Sequence, residues 1–495
     1  MRERLGVPLA PEMMEYIVRP RTDSLERDFR GMMLINKAHA VMLARQGILT
    51  EDVVRVLLDA LDELYAEGVE RLYEEPGPED LYSTIEQALI QRVGADAGGR
   101  LHTGRSRNDL GSTLTRMAAR ERFFSLLDPL LELREVLLGL AREHADTVMP
   151  GYTHLQPAQP TTLGHYLASV LLAIQRDSDR LLEAYPRLNL NPLGACAFAG
   201  TGFPVDRELT ADLLGFDGVV ESTTDAVASR DYVSEILSAV ALLGVTISRL
   251  AQDLYLWCSD EWGTVEIASE IAFSSSIMPQ KKNPGTLEHI KAKAGHLIGA
   301  LTSSLTVQKG INFMHCRDMT HESVDPMWDA LTEAEVMIKL TRITVAGLKI
   351  NRELMLKRVA EDFSTATELA DLLVREKDLP FRTSHSIVGH AVASAIDQGV
   401  RADGITAEMI ERAAVEVSGE PVTLTPDQVE LALDPVKNLA GKKASGSPSG
   451  PETRRLIDIA AASVDRHRDM LKDWRQHQER ASADLDRAVA RLASG

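Results

Sequence analysis

Apolar residues recur along this chain at steps of three and four almost everywhere. From Asp231 to Cys258 they fall at Val233, Ile236, Leu237, Val240, Leu243, Ile247, Leu250 and Leu254. That spacing puts one apolar stripe on a long amphipathic helix. The same pattern predicts long helices over 108–147, 162–185, 285–308 and 325–348. Pro129 is expected to kink or break the first, because proline lacks the N–H that the helical ladder needs. Strand-like alternation is rare, and the Gly/Pro-rich joins are short. The fold class is therefore all-α, with five long helices in a central bundle. Their remaining apolar faces are expected to meet other subunits.

Around that bundle the pattern divides the chain into an N-terminal helical domain over 1–107, the central bundle over 108–362 and a C-terminal helical domain over 363–495. Within the last, residues 441–450 (GKKASGSPSG) have loop composition. From Glu452 to Ala493 a helix of mixed charge resumes, which reads as solvated rather than as an interaction arm. No solenoid-type repeat is visible.

Composition narrows the function. The chain has 495 residues, of which 44% are hydrophobic and 26% charged, ordinary values for a globular protein. Its net charge of −19 argues against an extended basic surface for nucleic acid. An anionic substrate would need a local basic pocket working against the overall field. No run of about 18 wholly apolar residues marks a membrane span, and the N-terminus lacks the apolar core of a signal peptide. Three widely spaced cysteines, Cys196, Cys258 and Cys316, fit neither a disulfide framework nor a thiolate zinc site. The expected location is the cytoplasm. No metal or organic cofactor is expected, since the histidines do not cluster at ligand spacing and no glycine-rich phosphate loop follows a strand.

One stretch concentrates chemistry: Ser274-Ser275-Ser276-Ile277-Met278-Pro279-Gln280-Lys281-Lys282-Asn283-Pro284. It reads as a loop ending at a helix start, with Asn283 as N-cap and Pro284 at the first helical position. Hydroxyls, lysines and orphan helix N–H groups would converge there, a setting that suits a dianion.

This run is similar to the signature of the fumarase/aspartase superfamily, whose members break a C–N or C–O bond beside a carboxylate and usually release fumarate. Two more segments narrow the resemblance to the argininosuccinate lyase family: His102-Thr103-Gly104-Arg105-Ser106-Arg107-Asn108-Asp109 and Gly151-Tyr152-Thr153-His154-Leu155-Gln156-Pro157-Ala158-Gln159-Pro160. Similarity continues through Asn191-Pro192-Leu193-Gly194, Ser229-Arg230-Asp231, Trp257 with Glu261, and Gly446-Ser447-Pro448. The resemblance implies a three-domain fumarase/aspartase-like fold. It also implies a homotetramer in which each active site takes segments from three chains.

Eliminating an amine from an N-substituted aspartate needs three things: a base for the proton beside the carboxylate, a cationic cradle, and an acid for the leaving nitrogen. By motif position the family's base falls on Ser275. A serine alkoxide would need stabilising by Lys281 and loop N–H groups. Lys281 and Asn283 carry over as donors to the carboxylate that gathers charge, a contribution of about 3–4 kcal/mol each. His154 matches the family's functional histidine and Glu288 the acidic residue thought to pair with it. Whether His154 is the proton donor or orients substrate stays open at the level of sequence.

The resemblance further implies substrate contacts at Ser106, Arg107, Asn108, Thr153, Ser276 and Met278. Arg105 and Arg107 have a second reading, as structural partners of Asp109 or another acid. Three positions depart from the family: Ser274 stands where Gly is usual, Leu110 where Gln is usual, and Asn36 where Ser is common.

The half of the site that would hold the amine departs further. Family members that use arginine carry Ser and Asp in an N-terminal segment, and Tyr, Gln and Lys in a downstream one. Here the first segment is Arg19-Pro20-Arg21-Thr22-Asp23, and an ungapped match puts His315, Thr320 and Ser323 in the second. Guanidinium groups at Arg19 and Arg21 repel a cationic amine and attract an anionic one. The expected function is a fumarate-releasing C–N lyase whose amine partner is not arginine, such as an aminocarboxylate or diamine derivative, resembling ethylenediamine-disuccinate lyase. Argininosuccinate cleavage is the second reading. A non-catalytic homologue, as in family members that serve as lens crystallins, is the third, and the intact Ser275, Lys281, His154 and Glu288 stand against it.

Overall fold

A computed structural model of the chain describes residues 11–18, 25–70 and 80–494. Five long helices form the centre: Arg107–Glu143, Leu163–Leu188, Asp231–Trp257, Gly285–Gln308 and Asp325–Ala346. All eight apolar residues of the Asp231–Trp257 stripe are at most 2% exposed. They pack with Leu130, Leu137, Leu171, Ile290, Leu297 and Met337 in one continuous core. At roughly 1.5–3 kcal/mol for each fully buried large apolar side chain, this core is the main force holding the bundle.

Pro129 does not break its helix. It is buried within one helix from Arg107 to Glu143, flanked by Leu126, Leu127, Leu130 and Leu133, each at most 3% exposed. Burial of those four leucines outweighs the ~3 kcal/mol penalty of an internal proline.

A second core joins the helices Leu25–Arg45, Glu51–Glu67 and Leu81–Arg100 through Met32, Met33, Ile35, Leu57 and Leu61. A third lies within the C-terminal region, among Leu369, Leu373, Ile387, Ala391 and Ile410. The last helix, Gly450–Ser494, lies along the bundle. Ile457, Ala460, Val464 and Leu471 enter the central core, and Leu485 and Ala488 enter the N-terminal one. Most of its charged residues are exposed, and Arg475 ties it to Asp128 of the Arg107–Glu143 helix at 2.6 Å.

Asp231–Trp257 is the single helix among the described residues long and apolar enough to cross a membrane, and more than half of its apolar window is buried inside the protein. The bundle also keeps an exposed apolar face, with Leu242, Ile298, Leu305 and Ile343 each at least 40% exposed. Strands among the described residues occur only in three two-stranded ladders: Val148–Thr153 with Gln156–Thr162, Val265–Glu266 with Lys349–Ile350, and Phe273–Ser274 with Lys282–Asn283.

Candidate active site

The serine-rich loop is a hairpin. Phe273 pairs with Asn283 and Ser274 with Lys282, leaving residues 275–281 as its tip. Phe273 lies over Gly285, where a Cβ would stand 2.1 Å from its ring, so a larger residue there would displace the ring. Asn283 is held in this ladder and is not an N-cap. The helix begins at Gly285, with Pro284 (φ −80°, ψ 52°) in the capping position and no side-chain cap. Proline offers no side-chain acceptor, so no side chain caps the first turn, where the Leu287 N–H reaches the Pro284 carbonyl at 3.0 Å.

Within the tip, Ser275 Oγ accepts the backbone N–H of Met278 at 3.0 Å and of Ile277 at 3.4 Å. Two donors aimed at one hydroxyl oxygen favour its negatively charged form. Lys281 N–H closes the turn on the Met278 carbonyl at 3.1 Å. Its ammonium is exposed and forms no ion pair among the described residues. Lys282, by contrast, is held by Glu266 at 2.6 Å. Ser276 and Met278 are exposed.

The second group is a helix start. Ser106 caps the Arg107–Glu143 helix, and Asp109 closes a reciprocal capping box. One Asp109 oxygen accepts Ser106 and Leu110 N–H, each at 2.9 Å; the other accepts Gly194 N–H at 2.9 Å and Cys196 N–H at 2.8 Å. Burial pushes its carboxyl up to about 6 against the pull of those donors. Asn108 donates to the Ala197 carbonyl at 3.0 Å, and Arg107 pairs with Asp80 at 3.1 Å. Arg105 is 4% exposed and lies over the Tyr82 ring at 5.7 Å. Arg105 is buried but forms no pair with Asp109 or another acid among the described residues, whereas Arg107 both pairs with Asp80 and lines a cleft. Leu110, at 1% exposure, belongs to the N-terminal core.

The third group is the tip of the long hairpin. Thr153 pairs with Gln156, so His154 and Leu155 form a two-residue turn with φ of 57° and 59°. Left-handed backbone at two consecutive non-glycine residues is uncommon and costly. Thr153 and His154 are exposed there. The expected His154–Glu288 pair is not formed within the chain: Glu288 accepts a hydrogen bond from Tyr255 Oη at 3.1 Å instead. The reason is placement, since one residue tops the hairpin and the other sits on the first turn of the Gly285–Gln308 helix.

A cleft of about 390 Å³ joins two of the sequence predictions. Arg107, Asn108, Arg230, His315, Arg317 and Trp328 are among the residues that line it. His315 is half-buried, and burial together with Arg230 and Arg317 holds its imidazole below the usual range. Thr320 lines the cleft as well. Ser323 does not; it is fully buried and donates to the Met319 carbonyl at 2.7 Å. Arg19 and Arg21 lie outside the described residues. Sequence reading placed Arg230 in a motif without giving it a role, and missed Arg317 and Trp328; a buried arginine opening a long apolar helix was the available signal.

No hydrogen bond or ion pair among the described residues joins the hydroxyl loop, the cleft and the hairpin tip. A long-helix bundle bearing a hydroxyl–lysine loop, an anion-suited helix start and an exposed histidine turn is the architecture of a fumarate-type lyase. The profile of a family described as lyase matches residues 14–299, and one described as argininosuccinate lyase C-terminal matches 363–440. The chain is 40% identical to argininosuccinate lyase 1 of Shouchella clausii, covering 99% of both chains. It is 38% identical to argininosuccinate lyase of Methanothermobacter thermautotrophicus, over 94% of this chain and 98% of that one. Among solved structures, EDDS lyase in complex with formate aligns with a TM-score of 0.89 at 34% identity, over 98% of this chain and 96% of that one. The protein belongs to the argininosuccinate lyase family of the fumarase/aspartase superfamily, and is a carbon–nitrogen lyase.

Proposed function

We propose that the enzyme catalyses reversible elimination of fumarate from an N-substituted aspartate whose amine half is not arginine. The observation that carries this reading is the wall of the cleft formed by Arg230, Arg317 and His315. There the buried Arg230 and the exposed Arg317 disfavour a guanidinium half and favour an aminocarboxylate or diamine derivative bearing carboxylates, although Asp28, Asp80, Glu322 and Asp325 line the same cleft. Arg19 and Arg21 in the sequence lean the same way.

In this reading Ser275 takes the proton from the carbon beside the carboxylate, its alkoxide held by the Ile277 and Met278 N–H groups and by Lys281. Charge gathers on that carboxylate and is met by Lys281 and Asn283. The C–N bond then breaks, the C=C bond of fumarate forms, and the leaving nitrogen receives a proton from His154. Ser106, Asn108, Thr153, Ser276 and Met278 surround the dicarboxylate. The three groups come from different subunits of a cytoplasmic homotetramer, whose contacts cover the exposed apolar face of the bundle.

Argininosuccinate cleavage is the second reading, favoured by the 40% identity to argininosuccinate lyase 1 of Shouchella clausii. The test is release of fumarate from argininosuccinate, run beside addition of a panel of amines to fumarate, with Ser275→Ala as control. Ser275-dependent consumption of fumarate with another amine, and none of argininosuccinate, supports the first reading. Brisk release of arginine, lost in the variant, overturns it.

A further inference from the structure

The hairpin that carries His154 cannot hold its tip by backbone pairing alone. Pro150 faces Pro160, and Tyr152 faces Pro157. Proline has no N–H, so neither pair can exchange the two bonds of a full ladder rung. The register also slips between Pro150 and Tyr152, at Gly151, where a Cβ would stand 2.5 Å from the Gln159 carbonyl oxygen. Residues 153–157 are all exposed, and a bare two-stranded hairpin is marginal in water. Yet the turn keeps left-handed backbone at both His154 and Leu155, which persists only where its surroundings impose it.

Tyr152, immediately before that exposed tip, is half-buried. Its ring lies 4.7 Å from the Trp262 ring, centroid to centroid, with the planes at 41°. The Arg358 guanidinium stands beside its hydroxyl and offsets part of the burial that pushes the phenol up. Arg358 Nη2 in turn donates to the Glu261 carbonyl at 2.8 Å. Tyr152, Arg358, Glu261 and Trp262 thus close a circuit. The support behind it is itself fixed. The Thr264 carbonyl accepts the Asn351 N–H at 3.0 Å, and Val265 and Glu266 pair with Ile350 and Lys349. Trp262 packs against the central core. At the root of the hairpin, Val148 clusters with Val359 and Leu439. The hairpin is therefore anchored at its root and again at Tyr152, close to the imidazole.

We infer that Tyr152 and Trp262 are positioning residues for His154: the packed rings set where the imidazole stands, and neither ring touches the substrate. This rests on the reading above, in which His154 protonates the leaving nitrogen. Two flat rings suit the task, since each has few rotatable bonds and a large contact area. A catalytic group displaced by about 1 Å can cost roughly 10²-fold in rate. Loosening the ring pair therefore slows turnover without removing a substrate contact.

The test reads the full-length enzyme in two ways. Hydrogen exchange followed by mass spectrometry needs no substrate. Tyr152→Leu and Trp262→Leu should each speed exchange across residues 151–159 several-fold and leave the central helices unchanged. Kinetics use whichever of argininosuccinate, or fumarate with an amine of the panel, the unmodified enzyme turns over fastest. Tyr152→Leu should lower kcat about 10- to 100-fold with KM within about threefold of its starting value, and Tyr152→Phe, which keeps the ring, should recover most of the loss. In a His154→Gln background Tyr152→Leu should cost almost nothing further, because it acts through the histidine. If Trp262→Leu does not fold, the Tyr152 variants carry the test alone. Unchanged exchange across the hairpin in Tyr152→Leu overturns the inference. So does a rise in KM at constant kcat, which would make Tyr152 a substrate contact, or an undiminished loss in the His154→Gln background. Full activity of His154→Gln itself would instead sink the parent reading, while faster exchange in Tyr152→Leu would still show that the rings hold the turn.

Discussion

Asp109 Oδ2 accepts the backbone N–H of Cys196 at 2.8 Å, across 87 residues of sequence. With Gly194 on the same oxygen and Ser106 and Leu110 on the other, one carboxylate locks the helix start that presents Arg107 and Asn108. Asp109→Asn turns one of those acceptors into a donor, so two buried N–H groups would face an NH₂. The expected loss is about 2–4 kcal/mol, read as a lower midpoint in urea unfolding. Ser106→Ala, which removes the cap alone, should cost about 1 kcal/mol. Equal losses for the two variants would mean that the long-range clamp adds nothing.

Ser275→Ala removes the hydroxyl on which two loop N–H groups converge. If it is the base, fumarate formation falls by about 10²–10⁴-fold, while thermal stability barely moves because the side chain lies on an outer loop. Retention of activity within a few-fold would assign proton abstraction elsewhere.

Glu266 holds Lys282 at 2.6 Å and Lys349 at 3.3 Å, which pins the base of the hydroxyl hairpin to the short Val265–Glu266 ladder. Glu266→Gln should leave the melting temperature nearly unchanged, since pairs this exposed contribute about 1 kcal/mol or less. The expected effect is on KM for fumarate in the addition direction, which rises as the hairpin loosens. An unchanged KM would show that the loop keeps its shape without this tie.

The last helix is fastened through a histidine. Arg134 Nη1 donates to His467 Nδ1 at 2.8 Å, and His467 Nε2 meets Asp179 at 2.8 Å. Nδ1 is therefore an acceptor, and burial with the Arg134 charge holds the imidazole below its ordinary 6.5. A lowered folded pKa means the unfolded chain binds the proton more readily. This contribution is fully present above pH 6.5 and is lost as pH falls through the lower folded value. His39, His102 and His144 are lowered mainly by burial and act in the same direction, while Asp109, raised to about 6, acts in the opposite one. His467→Gln should flatten the acid-side slope of stability against pH between 6.5 and 5, measured by urea unfolding. An unchanged slope would place the proton uptake on the other histidines.

Some of this architecture is written locally in the chain. The stripe from Val233 to Leu254 needs only a period of 3.6 to declare its helix, and Ser106 with Asp109 declares a capped start within four residues. The hydroxyl–lysine loop is equally local, which is why its residues were legible at once. Asn283 was misassigned because a local reading sees Asn-Pro and a helix, whereas pairing with Phe273, ten residues back, takes it into a ladder. The His154–Leu155 turn gave no glycine or asparagine signal, since its left-handed backbone is imposed by the paired strands on either side.

The sequence by itself determined the long helices, their apolar faces and the family, because periodicity and contiguous motifs depend on neighbours a few residues apart. Only the tertiary structure decided that Pro129 stays helical, that Glu288 meets Tyr255, and that Arg230 and His315 share a cleft with Asn108. Those outcomes follow from packing and desolvation between segments distant in sequence, where the energy of a buried charge or proline depends on what the rest of the chain brings against it.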